Sequence, residues 1–143
     1  MSDLVSQNLN MIFKSPKGET VHALKDISFT LKKGELLTVL GPSGCGKTTL
    51  LNLLSGLDEN LNGTIMYQDN SMPKNWPIGY MFQEPRLMPW LTVKQNVAIV
   101  TQQTAEEIKL SETLINEMGL NKYMNSFPSE LSGGMQRRVA IAR

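Results

Sequence analysis

The chain has 143 residues, of which 41% are hydrophobic and 19% charged, and its formal net charge is +1. These values are typical of one ordinary globular domain with its own core, and they argue against disorder. The balanced charge gives no reason to expect a nucleic acid as a partner. The longest apolar runs, such as residues 36–40, are far shorter than the roughly 18 residues that span a bilayer. We therefore expect a cytoplasmic protein that meets a membrane only through another protein.

The first forty residues predict strands. Residues 4–13 and 22–31 are two segments of mixed apolar and polar character, separated by turn-forming residues. Apolar side chains recur at every second position of the second segment and should share one face. They are Ile27, Phe29 and Leu31. After a tight turn, the continuous apolar run of residues 36–40 predicts a third strand.

A phosphate-binding pattern follows this third strand. Residues 41–48 read G-x-x-x-x-G-K-T, in which glycines let the backbone curl so that successive N–H groups point at phosphates. Lys47 can reach the terminal phosphate oxygens, and the hydroxyl of Thr48 can ligate Mg²⁺. Cys45, the one cysteine of the sequence, is interpreted as a small side chain that fits the loop. The alternative is an ordinary Gly- and Ser-rich turn between two elements.

A helix and further strands follow the loop. A leucine-rich helix ends near Gly56, and short strands are predicted at residues 64–67 and 78–82. Strand, loop and helix in this order indicate an α/β core with an antiparallel edge.

Helices replace strands from about residue 84. One helix begins at Thr92, and a capping box opens another at Thr104, which ends before the stop residue Gly119. A last helix over residues 136–143 reaches no stop signal. This part of the sequence predicts a helical insert on the α/β core.

Three further features fit a nucleotide site. The turn Leu131–Gln136 precedes a helix and offers a second anion-binding helix end. Gln83 directly follows the predicted strand 78–82, and its amide can offer an oxygen to Mg²⁺ or orient a water. Phe13 ends the first strand with a flat aromatic surface that can stack on an adenine. Taken alone, the turn could be a simple helix cap and Phe13 a core residue.

Together these motifs resemble the ATPase subunit of an ATP-binding cassette (ABC) transporter. Residues 41–48 match its Walker A loop, Gln83 its Q-loop, Leu131–Gln136 its signature motif and Phe13 its aromatic A-loop. The resemblance covers the whole chain in the family's order. Glu84–Trp90 further resembles a segment of the ATPases of the nitrate, sulfonate and taurine import group.

The resemblance implies a P-loop NTPase core, a mixed sheet with an antiparallel edge, together with a helical insert. It divides the chain into an α/β core over residues 1–83, a helical subdomain over 84–131 and a signature helix over 132–143. The family's Walker B strand, catalytic glutamate and switch histidine all follow the signature helix. We therefore expect the C-terminal part of the domain to be missing and the 143-residue chain to be inactive by itself.

The resemblance also implies ATP and Mg²⁺ as cofactors, with two subunits sandwiching ATP head to tail. Lys47 and Gln83 then have catalytic roles, and Thr48 and Gln83 ligate the metal. The residues that hold the nucleotide in cis are Phe13, Gly41, Ser43, Gly44, Cys45, Gly46, Lys47, Thr48 and Thr49, and those that close on it in trans are Ser132, Gly133 and Gly134.

The implied function is that of an importer ATPase, which couples ATP hydrolysis to the uptake of a small anion such as nitrate, a sulfonate or taurine. Its partners would be a second ATPase subunit and permease subunits at the cytoplasmic face of the membrane. The permease subunits would contact the helical insert and an exposed patch around Trp90. Two alternatives remain open: a nucleotide-binding fragment that cannot hydrolyse ATP, and a soluble cassette ATPase acting on ribosomes or DNA. A GTPase is disfavoured because Asn121–Met124 lacks the aspartate that reads guanine.

Overall fold

The computed structural model describes residues 3–14, 18–59, 62–67, 70–71, 78–102 and 104–143. The chain forms two compact units, Met1–Ile78 and Gly79–Arg143.

The first unit contains an antiparallel sheet. Its four strands are β1 (Leu4–Lys14), β2 (Thr20–Leu31), β3 (Asn62–Tyr67) and β4 (Asn70–Ser71), in the order β2-β1-β3-β4. Every neighbouring pair runs antiparallel. The predicted strands at residues 4–13, 22–31 and 64–67 are confirmed, and the described residues form the antiparallel part of the predicted sheet.

The strand β2 shows the alternation that its sequence predicts. The apolar residues Ile27, Phe29 and Leu31 are half-buried, whereas Ser28 and Thr30 between them are exposed. This pattern is that of a strand with one face on a core and one face toward solvent. The prediction that the three apolar residues share a face is confirmed.

The helix α1 (Lys47–Leu54) packs its apolar side chains into the same core as the sheet. The fully or almost fully buried residues of this core are Leu9, Met11, Leu24, Leu50, Leu53 and Ile65. Burying a leucine or isoleucine side chain contributes roughly 1.5–3 kcal/mol before entropy is counted. The first turn of α1, and with it the phosphate loop, is thereby fixed against β1 and β2.

The apolar run of residues 36–40 is not a strand, contrary to the prediction. A strand needs a hydrogen-bonded neighbour, and none of the strands in the described residues pairs with this run. Leu36 and Leu40 are 91% and 85% exposed as a result. The predicted strand at residues 78–82 is wrong for the same reason, since these residues pair with no described strand.

The second unit is helical. Its helices are α2 (Val93–Ala98), α3 (Ala105–Glu117) and α4 (Gly133–Ala142), with short 3₁₀ turns at Asn121–Tyr123 and Pro128–Glu130. Thr92 and Thr104 each form a capping box, so both predicted helix starts are confirmed. The helix α4 lies within the predicted signature helix over residues 132–143, and with Ser132 as its cap it begins three residues before the helix predicted from residues 136–143.

A separate core holds these helices together. Its buried residues are Val93, Val97, Ile115, Leu120, Leu131, Val139 and Ala142. Lys94 of α2 and Glu112 of α3 add an ion pair at 2.6 Å, but both side chains are more than 40% exposed. Such a pair contributes at most about 1 kcal/mol, so apolar packing is the main source of stability here. Within the described residues, no helix is both long enough and apolar enough to cross a membrane.

Candidate functional site

The phosphate loop, residues 41–48, lies so close to β2 that it requires glycine. Gly46 has φ +95°, and a Cβ there would lie 2.2 Å from the carbonyl oxygen of Ala23. Gly44 has φ +79°, also in the left-handed region that favours glycine. The second glycine of the predicted pattern, Gly46, therefore has a structural cause, because the loop backbone lies directly on the sheet there. Gly44, a variable position of the pattern, favours glycine through its backbone angle alone.

The ammonium group of Lys47 folds back over this loop. Its Nζ donates hydrogen bonds to the carbonyl oxygens of Gly41 and Pro42, at 2.8 and 2.6 Å. Two neutral carbonyls thus hold a cation beside the start of α1. A phosphate oxygen is a stronger acceptor for an ammonium than a carbonyl is, because the hydrogen bond is then charged on both sides. The Lys47 ammonium is therefore placed where an anionic ligand in the loop can accept its hydrogen bonds.

The start of α1 differs from the starts of the other described α-helices. The side chains of Thr92, Thr104 and Ser132 cap α2, α3 and α4, each accepting a hydrogen bond from a backbone N–H. The N-cap of α1 is Gly46, which has no side chain to do so, and the first turn of α1 contains no acidic residue. The first backbone N–H groups of a helix have no partner within the helix, so those of α1 can bind an anion.

Cys45 lies in the phosphate loop, close to Gly41 and Lys47. Its thiol is exposed and free, and its Sγ lies 3.6 Å from Nζ of Lys47. A Cβ at Gly41 would lie 2.6 Å from the same sulfur, so the thiol occupies space that a side chain at position 41 would need. Ser43 and Thr48 are exposed and Thr49 is half-buried, all within this loop and the first turn of α1.

Phe13 lies on the sheet near the loop. It pairs with Val21 across β1 and β2, two residues before Ala23 in the chain. Two residues along a strand span roughly 6.6 Å. Because Ala23 contacts Gly46, the half-exposed Phe13 (45%) belongs to the part of the sheet that meets the phosphate loop. The strand register thus supports the A-loop prediction without testing it.

The signature turn lies in the second unit, at the start of α4. Oγ of Ser132 accepts a hydrogen bond from the backbone N–H of Met135 at 3.3 Å. Gln136 donates from Nε2 to the carbonyl oxygen of Pro128 at 2.8 Å, which ties the turn to the segment before it. The signature turn therefore serves as the N-terminal cap of α4.

The two glycines of this turn are not required by the fold of the described residues. A Cβ at Gly133 or Gly134 would meet no atom within 4 Å, and neither has a φ in the left-handed region. Both residues are exposed. Among the described residues, glycine at these two positions therefore has no packing reason.

Gln83 is exposed and lies in a short ordered segment of the second unit. The rings of Tyr80 and Phe82 pack edge to face with centroids 4.7 Å apart. The guanidinium carbon of Arg86 lies 3.9 Å from the centroid of the Phe82 ring. Gln83 therefore lies in the chain between Phe82 and Arg86, whose side chains contact each other, although Gln83 belongs to no helix or strand.

Sequence reasoning missed Asn96. This side chain is fully buried and makes four hydrogen bonds to the backbone of residues 88–92. A signal was present, because Asn96 lies on the same helix stripe as the apolar residues Val93 and Val97. A polar residue on an apolar stripe is either a functional group or a buried hydrogen-bonding residue. Among the described residues no group of three His, Cys, Asp or Glu could hold a metal ion, and Thr48 and Gln83 stay the predicted metal ligands.

A family profile described as "ABC transporter" matches residues 24–143. The match includes the phosphate loop, Gln83 and the signature turn, and it covers most of the chain. The chain belongs to the ABC transporter family.

Named relatives place the chain more narrowly. It is 54% identical over 148 aligned positions to "Taurine import ATP-binding protein TauB" of Pelagibacter ubique, covering 100% of this chain and 56% of the relative. It is 44% identical over 130 positions to "Aliphatic sulfonates import ATP-binding protein SsuB 2" of Pseudomonas syringae pv. tomato, covering 91% and 52%. The chain spans about half the length of the curated relatives it matches. The resemblance to this import group, predicted from Glu84–Trp90, is confirmed.

The fold is also that of solved ATP-binding cassettes. The "dimeric structure of a post-hydrolysis state of the ATP-binding cassette MJ0796 bound to ADP and Pi" matches with a TM-score of 0.84 and 29% identity. The match covers 97% of this chain and 67% of that chain. The predicted P-loop core with a helical insert is confirmed.

Proposed function

We propose that the protein is the ATP-binding subunit of an ABC importer and couples ATP hydrolysis to the uptake of a small sulfonate anion. The relatives that match it carry the names of taurine and aliphatic sulfonate import proteins, which supports a sulfonate over nitrate. The alternative of a fragment that cannot hydrolyse ATP concerns the 143-residue chain by itself, which spans about half the length of its relatives, whereas the proposal concerns the full-length protein. The other alternative, a soluble cassette acting on ribosomes or DNA, has no specific observation in its favour.

The observation that carries the proposal is the uncapped start of α1. Gly46 leaves the first N–H groups of that helix to an external anion, and Lys47 stands over the same loop. In the proposed complex the N–H groups of Gly44 to Thr49 and the Lys47 ammonium hold the β- and γ-phosphates. The ring of Phe13 stacks on the adenine.

Thr48 and Gln83 are the proposed ligands of the Mg²⁺ ion that accompanies the nucleotide. The hydroxyl of Thr48 and the amide oxygen of Gln83 are hard oxygen donors of the kind that Mg²⁺ prefers. When bound, Mg²⁺ neutralises charge on the transferring phosphoryl group. Gln83 also serves as the residue that orients the attacking water in this proposal.

A second copy of the subunit completes the site. The exposed glycines Gly133 and Gly134 and the hydroxyl of Ser132 close on the γ-phosphate held by the partner copy. This use gives a reason for glycine at two positions where no packing contact among the described residues requires it. The solved neighbour, a dimeric ATP-binding cassette, supports such an arrangement.

The helical unit is the proposed contact with permease subunits at the cytoplasmic face of the membrane. Trp90 is 69% exposed and lies in a loop whose backbone Asn96 holds from within. A large apolar ring held in place at the surface is typical of a protein interface.

The test is to replace Lys47 by Ala in the full-length protein and to measure ATP affinity and phosphate release. We expect ATP affinity to fall at least about tenfold, because a hydrogen bond to a charged group is worth about 1.5–3 kcal/mol. Turnover should be abolished. Lys33→Ala is the matched control, since Lys33 is an exposed lysine in a turn outside the loop. Unchanged turnover in Lys47→Ala would refute the proposal.

The solute is tested separately in cells that carry the full-length protein with its permease. Uptake of labelled taurine and of an alkylsulfonate should both depend on Lys47, whereas nitrate uptake should not. Uptake of nitrate alone would overturn the sulfonate part of the proposal and leave the ATPase part intact. The inactivity of the 143-residue chain by itself stays a prediction, which phosphate release from that chain can check.

A further inference from the structure

Arg143 joins the end of α4 to the segment that follows Gln83. Its Nη1 donates to the carbonyl oxygen of Arg86 at 2.9 Å, and its Nη2 donates to that of Pro85 at 3.1 Å. The backbone N–H of Arg143 donates to the carbonyl of Val139 at 3.0 Å, so the residue continues the hydrogen bonding of α4. One planar guanidinium therefore holds two successive carbonyls, which fixes the orientation of the segment as well as its position.

The segment that Arg143 holds is strained. Arg86 has φ +45°, in the left-handed region where a residue other than Gly, Asn or Asp is unfavourable. Its guanidinium lies over the ring of Phe82, so the chain doubles back across Gln83. A strained conformation persists only where its surroundings impose it, and the two hydrogen bonds from Arg143 are such a constraint.

The other end of α4 is the signature turn. Ser132 caps the helix, and Val139 and Ala142 are buried in the core of the second unit. The helix has ten residues, which span roughly 15 Å. Because α4 is short, capped at Ser132 and packed through Val139 and Ala142, we expect a displacement at Ser132 to displace Arg143 as well.

We infer that Arg143 is a positioning residue that sets the place of Gln83 according to the state of the signature turn. When a nucleotide held by the partner copy draws in Ser132–Gly134, α4 moves and Arg143 carries Pro85 and Arg86 with it. Gln83 follows, because it lies two residues before Pro85. The movement on nucleotide binding rests on the proposed function, whereas the hydrogen bonds from Arg143 to Pro85 and Arg86 do not depend on that function.

The first experiment measures amide hydrogen exchange of the full-length protein without nucleotide. In Arg143→Ala, exchange within residues 84–88 should speed up, and by at least about tenfold at the N–H of Met88, which is bonded to Asn96, because opening of the segment no longer breaks two hydrogen bonds from a charged donor. Arg143→Lys should be intermediate, since an ammonium lacks the planar fork. Arg137→Ala, an exposed arginine of the same helix, should match the unchanged protein. Equal exchange of this segment in Arg143→Ala and the unchanged protein would overturn the inference.

The second experiment adds Mg-ATP at saturating concentration. Exchange of residues 84–88 should slow in the unchanged protein and in Arg137→Ala, and it should not respond in Arg143→Ala, although ATP affinity stays within about twofold. A merely structural role would speed exchange along all of α4 and leave the nucleotide response in place, and that result also overturns the inference. If Arg143→Ala does not fold, Arg143→Lys decides both experiments. Failure of the unchanged protein to bind ATP would refute the proposed function, while the first experiment would still decide whether Arg143 orders the segment.

Discussion

Asn96 and Met88 hold each other through two hydrogen bonds. The backbone N–H of Met88 donates to Oδ1 of Asn96 at 2.8 Å, and Nδ2 of Asn96 donates to the carbonyl oxygen of Met88 at 3.1 Å. The same Nδ2 donates to the carbonyls of Leu91 and Thr92, at 2.9 and 3.1 Å. One buried amide thus gives a fixed shape to the loop that displays Trp90.

Replacing Asn96 by Ala should destabilise the protein by about 1–3 kcal/mol, because partly buried backbone groups of Met88 and Leu91 lose their partner. Urea unfolding of the full-length protein measures this loss. Asn125→Ala, an exposed asparagine of the same unit, is the control and should change stability by less than about 0.5 kcal/mol. A loss no larger than that of the control would show that the loop does not depend on Asn96.

If the helical unit contacts a permease as proposed, replacing Trp90 by Ala should weaken that assembly while leaving ATP affinity nearly unchanged. An exposed aromatic anchor at an interface is worth about 2 kcal/mol or more, which is roughly thirtyfold in affinity. Co-purification with the permease and ATP binding are the two measurements. Leu110→Ala removes another exposed apolar side chain, 58% exposed, on α3 and is the control. If Trp90→Ala lowers ATP affinity but not assembly, the loop belongs to the nucleotide site.

Ser132→Ala and Thr104→Ala each remove a helix cap and should each cost about 1 kcal/mol of stability. Only Ser132→Ala should lower ATP hydrolysis beyond this common effect, since only that hydroxyl faces the nucleotide in the proposed dimer. Thermal melting and phosphate release, compared between the two variants, separate capping from catalysis. Equal activity of the two would mean that Ser132 is a cap alone.

Gly134→Ala should raise or preserve stability and still lower activity. The position is helical and open, so alanine gains up to about 1 kcal/mol of helix propensity without a clash. A methyl group at the approach surface should block closure of the dimer on ATP. Gly79→Ala, at another open glycine, is the control. Size-exclusion chromatography with ATP measures dimer formation, and thermal melting measures stability. Normal dimer formation by Gly134→Ala would contradict the prediction.

The sequence predicts best those elements whose signals are local. The starts at Thr92 and Thr104 are correct because a capping box is complete within four residues. The run of residues 36–40 is not a strand because an apolar sequence supplies only the tendency, and pairing depends on a neighbour that no described residue provides. The same limit applies to residues 78–82.

The site divides in the same way. The phosphate loop and the signature turn are recognisable as motifs, because their residues are contiguous. The contact between Gly46 and Ala23, and the hydrogen bonds of Arg143 to Pro85, join residues far apart in the chain. No spacing in the sequence indicates such pairs, since they exist only after the units have folded.

The atom that excludes a side chain at position 46 is a backbone oxygen, that of Ala23. No substitution of a neighbouring side chain can remove a carbonyl, so a genetic search for suppressors of Gly46→Ala has little to find. Selection for restored uptake in cells carrying that variant should return reversions at codon 46 almost alone. Suppressors elsewhere, if any arise, should map to β2 and move its backbone away from the loop.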